Sequence, residues 1–298
     1  MSMHFESALR VLAKLDNSGG LVQVDWVSPV VSSLLAALSL QKRDEIYRIR
    51  FSPECQGYAE NIGLLSILDG DSEPISVRGN KCGETYSPLA SLAFHSEVER
   101  CNSTVNGVFR KALGTTALVK AVCKVVGELH DNVASHAKGK GYSAAQIYRP
   151  SSAPDSLEFA IADSGCGFLS NARRTDRSIC TDEQAIHWAL TKGTTSATPA
   201  DPFAQRSQED WDLRADDDAH QGLGLWLLRT LAKRTDGRLW VMSGNAQYLL
   251  DRNTDRSGVC ARHWPGVVIE LEIPVNSKEL VSDYDIKDLS LLAEELAI

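Results

Sequence analysis

The spacing of apolar and polar positions divides the chain into segments of helical and strand period. Phe5, Ala8, Leu9, Leu12 and Leu15 recur at intervals of three and four, which gives a helix over residues 5–16 one apolar face. Asn17-Ser-Gly-Gly20 reads as a turn, and Leu21 to Val27 as a strand. Ser28-Pro29 has the form of a helix cap with proline at the first helical position, which predicts a helix to about Arg43. Tyr47 to Phe51 alternates as a strand, and Tyr58 to Leu68 reads as a second short helix. Residues 70–88 concentrate Gly, Ser, Pro and charge, as a boundary or an exposed hairpin does. Residues 1–88 are therefore expected to form a small α/β domain.

The strongest helical pattern comes next. Leu118, Val122, Val125, Val126, Leu129 and Val133 form one stripe. Glu128 and Asn132 flank it, four residues apart and so stacked on one helix face. There a carboxylate can polarise a water, and a carboxamide oxygen can ligate a hard cation. Ala144 to Arg149 and Leu157 to Ala162 read as neighbouring antiparallel strands. The second ends on Asp163, followed by Gly165 and Gly167, which let backbone pass close to a flat ligand. A short helix is expected from Asp182 to Leu190. Gly222 and Gly224 open a helix whose apolar positions are Leu225, Leu228, Leu231 and Ala232, and free amides at a helix start suit phosphates. Arg238 to Met242 and Val267 to Ile273 read as strands joined by a long connection, Asn245 to Pro265.

Glu-x-x-x-Asn, then Asp-x-Gly-x-Gly, then Gly-x-Gly before a helix resembles, in that order, the GHKL ATPase superfamily of gyrase-like, heat-shock, histidine-kinase and mismatch-repair ATPases. The resemblance covers about Thr115 to Pro274 and is nearest in style to anti-sigma-factor serine kinases. It implies an α/β (α+β) fold: a Bergerat-type two-layer sandwich of helices and a mixed, mainly antiparallel sheet. That domain would span residues 89–276, with an ATP lid at 168–221; separately, the amphipathic pattern of Asp283 to Leu296 predicts a C-terminal helix within 277–298. The cofactors implied are ATP and Mg²⁺. Glu128 would be the general base, and Asn132 would hold Mg²⁺. Asp163 would bind the adenine amine, with Gly165 and Gly167 shaping its pocket. Gly222 and Gly224 would face the phosphates. In Thr191-Lys-Gly-Thr-Thr-Ser196, Lys192, Thr194 and Thr195 would contact phosphate, or the stretch is a plain polar loop. One departure stands out: Val267 follows Gly266 where the family often has threonine. The N-terminal strand–helix order is loosely similar to the STAS fold.

Bulk properties narrow the functions. At 298 residues, with 43% hydrophobic and 23% charged residues, the chain suits a globular protein of two domains. A net charge of −8 argues against a general nucleic-acid surface. Seven cysteines without a Cys-x-x-Cys pair indicate neither a zinc ribbon nor a disulfide framework. With no membrane-length apolar run and no signal-peptide pattern, a cytoplasmic protein is expected. The expected function is a regulatory Mg-ATP-binding protein that hydrolyses ATP, its lid closure coupled to a protein interface. The expected partner is a regulatory protein, and a homodimer is compatible with the sequence. The alternatives are a serine/threonine kinase of the anti-sigma type and a nucleotide sensor without turnover.

Overall fold

The computed structural model describes residues 4–17, 19–70, 81–114, 117–136, 141–191 and 224–275. Five strands form an antiparallel sheet in the order β3-β4-β5-β7-β6, comprising β3 (Ala90–Ser91), β4 (Gly141–Tyr148), β5 (Ser156–Asp163), β6 (Arg238–Leu250) and β7 (Asp255–Pro274). A separate parallel pair joins β1 (Val22–Val24) to β2 (Ile49–Phe51). The class is thus mixed α/β with a mainly antiparallel sheet, as the sequence implies. Among the described residues no helix is long and apolar enough to cross a membrane.

β5 is buried along its whole length, so its alternation serves two cores rather than one core and solvent. Leu157, Phe159 and Ile161 face one cluster with Ile269, Leu271 and Ile273 of β7. Helices α6 (His95–Leu113), α7 (Ala117–His136) and α10 (Gly224–Arg234) cover that face with apolar stripes including Val105, Phe109, Val122, Val126 and Leu228. Phe109 meets Phe159 edge-on with ring centres 5.9 Å apart.

Ala160, Ala162 and Val268 point the other way, into a second core with Ala144, Trp240 and Trp264. Helices α1 (His4–Asn17) and α2 (Pro29–Ser39) fill it. α2 is buried nearly all round, and the small side chains at Ala144, Ala160 and Ala162 let it lie close on β4 and β5. The Ser28 hydroxyl accepts from the Val31 N–H, as its place before Pro29 predicts. Three short helices complete this side: α3 (Arg43–Ile46), α4 (Pro53–Asn61) and α5 (Leu64–Asp69). Residues 4–69 thus share their core with the far face of the sheet.

Two elements differ from the sequence expectation. The expected connection Asn245 to Pro265 is instead strand: β6 and β7 continue as a long hairpin. Register shifts between Ser243 and Ala246 break its alternation, which hides it from period-two reading. Within the expected lid, α8 (Gly167–Thr175) is a helix that the sequence pattern does not predict, whereas α9 (Asp182–Ala189) matches the helix expected from Asp182. α9 begins with a capping box between Thr181 and Gln184, and its Ile186 reaches the main core.

Candidate functional site

Asp163 stands at the end of β5, on the face shared with α7 and 6% exposed. Its Oδ1 accepts from the Gly165 N–H at 2.7 Å, and Oδ2 from the Val267 N–H at 3.2 Å. Burial pushes its pKa up to about 7, against the two backbone hydrogen bonds, which lower it. The side chain fits because its neighbours are glycines. A Cβ on Gly266 would lie 2.2 Å from the Asp163 carbonyl oxygen, and one on Gly141 would lie 3.1 Å from Asp163 Cβ. The Asp163 carbonyl accepts from the indole N–H of Trp264 at 2.9 Å. Gly167 has φ of +64°, and a Cβ there would press on Ser243 Oγ and the Pro265 carbonyl. Ser243 Oγ accepts from the Phe168 N–H and donates to the Gly266 carbonyl, which pins the start of α8 to β7.

Glu128 and Asn132 lie on α7, the first half-buried and the second exposed. A Cβ on Gly224 would lie 3.4 Å from Glu128 Oε2, so the first residue of α10 packs directly over that carboxylate. One turn further on, Val133 Cγ1 would be 2.6 Å from a Cβ on Gly141, the same glycine that abuts Asp163. Glu128 therefore meets the head of α10 directly, and Gly141 sits between Val133 of α7 and Asp163. Lys124, one turn before Glu128, has its pKa lowered by burial and partly restored by the Glu128 charge.

The structure places Glu128 of α7 beside Gly224, and Asp163 with Gly165 and Gly167 at the end of β5 against the middle of β7. Asn132 is on the same helix and open to solvent. Lys192, Thr194, Thr195 and Gly222 lie outside the described residues, as does the expected C-terminal helix.

Several contributors escape sequence reading. Val267 acts through its backbone, so its side-chain identity carries no signal. Ser243 and Trp264 are ordinary strand residues until the fold brings them to Asp163. His130 is fully buried between α6, α7 and β4. Its Nδ1 pairs with Asn102 Oδ1 at 2.6 Å and its Nε2 with Ser143 Oγ at 2.8 Å, and desolvation lowers its pKa to about 3. That makes it a neutral imidazole, donating to Asn102 and accepting from Ser143. Because His130 and Ser143 are both fully buried, the three side chains serve to tie α6 and α7 to the sheet.

Comparison of the chain with protein-family models, with curated proteins and with solved structures finds no match.

Proposed function

We propose that this protein is a regulatory Mg-ATP-binding protein of GHKL type that hydrolyses ATP, and that its sheet with α6, α7 and α10 is a Bergerat-type sandwich. The observation that carries the reading is the packing of Gly224, at the head of α10, against Glu128 of α7, with Gly141 seated between Val133 of the same helix and Asp163. In this reading Asp163 takes the adenine amine as a carboxylate. Its oxygens keep lone pairs beyond those used by Gly165 and Val267. The head of α10 directs backbone dipole toward the phosphates beside Glu128. Glu128 accepts a proton from the attacking water, and Asn132, exposed on the same face, ligates Mg²⁺. The lid is the segment expected at 168–221, of which 192–221 lie outside the described residues, and its closure is what a partner protein senses.

The test is single-turnover incubation of the wild type, Glu128→Ala and Asn132→Ala with γ-labelled ATP and Mg²⁺. Free phosphate is expected from the wild type. Glu128→Ala should slow its release by about 100-fold or more while leaving ATP binding intact. Asn132→Ala should lose the Mg²⁺ dependence of binding. Label transferred to protein instead of water would favour the kinase alternative, and failure of all three to bind ATP would overturn the reading.

A further inference from the structure

The far face of the sheet carries a group of charges that the site above does not use. Glu158 of β5 is fully buried, and Glu270 of β7 is 5% exposed. Glu158 stands directly across from Glu272, which in turn faces Arg238. Like charges opposed across a ladder destabilise it, more so when desolvated. His4, at the start of α1, reaches in from above and pairs through Nδ1 with Glu158 Oε2. Glu158 Oε1 accepts from the Val30 N–H at 3.0 Å, which orients the carboxylate.

We propose that His4, Glu158 and Glu270 form a site for one divalent transition-metal cation that fastens α1 to β5 and β7. One imidazole nitrogen and two carboxylate oxygens lie within 4.8 Å of one another. They come from three elements, so a bound ion would bridge them. The donor set fits Zn²⁺ or Mn²⁺, because an imidazole ligand is poorly matched to Mg²⁺ or Ca²⁺.

Two neighbouring features bear on the same group. The Tyr148 hydroxyl is shielded from solvent and lies against Glu158, whose carboxylate it is placed to hydrogen-bond. Its ring lies 4.7 Å from that of His4, in the field of Glu158 and Glu270. It is placed to complete or orient the coordination shell, as outer partners of metal sites do. A cavity of about 10 Å³, the size of one water, lies on the far side of Glu270, lined also by Phe5, Arg238, Trp240, Leu249 and Glu272.

This site lies on the sheet face opposite Asp163 and is independent of the ATP reading. Full-length protein, freed of metal with a chelator and desalted, would be titrated with Zn²⁺ and with Mn²⁺ in separate calorimetric runs without nucleotide. Bound metal would be counted by elemental analysis after gel filtration. One equivalent of either ion is expected. Affinity should fall at least about tenfold in His4→Ala and in Glu270→Gln. It should be unchanged in a Cys166→Ser/Cys180→Ser protein, which removes the two exposed thiols as competing ligands. If Glu270→Gln does not fold, His4→Ala decides alone, since it sits in the first turn of α1 and is partly exposed. Absence of binding in the wild type, equal binding by wild type and His4→Ala, or loss only in the cysteine variant would overturn the proposal.

Discussion

Two buried titratable residues give opposite responses to pH. His130 is held neutral with a pKa near 3, whereas in the unfolded chain it titrates near 6.5. Between those values the unfolded state binds a proton that the folded state refuses, so His130 costs stability as pH falls from about 6.5 toward 3. The steepest slope one such group can give is about 1.4 kcal/mol per pH unit. Urea denaturation at pH 5 and pH 7 should show wild type losing more stability on acidification than His130→Gln. Asp163 works the other way. Its folded pKa of about 7 exceeds the ordinary carboxyl value, so the folded state holds a proton between about pH 4 and 7 that the unfolded state releases. Its contribution is greatest at low pH and is lost as pH rises through 7. On the proposed function only the ionised form accepts the adenine amine fully. ATP affinity, followed by fluorescence, should therefore be weaker at pH 6 than at pH 8 and should lose that dependence in Asp163→Asn. Both residues also mark the limit of the sequence. Asp163 is legible because a strand pattern ends on it and glycines follow. The pairing of His130 with Asn102 and Ser143 is not, because it depends on how α6, α7 and β4 come together.

Elements with one clear period are the ones legible in the sequence. α7 and α10 show unbroken apolar stripes, and β4 and β5 are short, strongly apolar and antiparallel as expected. The β6–β7 hairpin is hidden because its alternation slips at the bulge. There Gly244 takes a φ of +61°, and Asp182 of α9 accepts from the Asn245 N–H at 2.8 Å. α8 is hidden because its sequence, with Arg173 and Arg174, reads as polar loop. Backbone closeness around the site leads to a paired test. In Gly266→Ala the new methyl meets the Asp163 backbone, which cannot swing aside as a side chain can. A loss of about 1–3 kcal/mol is expected, typical of overpacking. Gly258→Ala, on the same strand with open space around it, should change stability by no more than about 0.5 kcal/mol. Thermal melts of the two variants would show whether the cradle is as tight as drawn.

Across the whole molecule, the sheet is a wall shared by two cores. Removing residues 1–88 to isolate the proposed nucleotide-binding part would uncover Ala144, Ala160, Trp240, Met242, Trp264 and Val268 together. So large an apolar face favours association. The fragment 89–298 should elute from gel filtration as aggregate where the full chain does not, and a well-behaved monomeric fragment would count against the shared core. The strand order adds a consequence for synthesis. β7, last of the five to leave the ribosome, takes the slot between β5 and β6, and it carries Val268 into the core that α1 and α2 fill. α2 can settle on β4 and β5 first, but the core that it shares with α1 is closed only by Trp240, Trp264 and Val268 of β6 and β7. A nascent chain of more than two hundred residues carries that core open meanwhile. Slow translation, or a shortage of chaperones that shield emerging chains, should reduce the yield of this protein more than that of one built from local contacts.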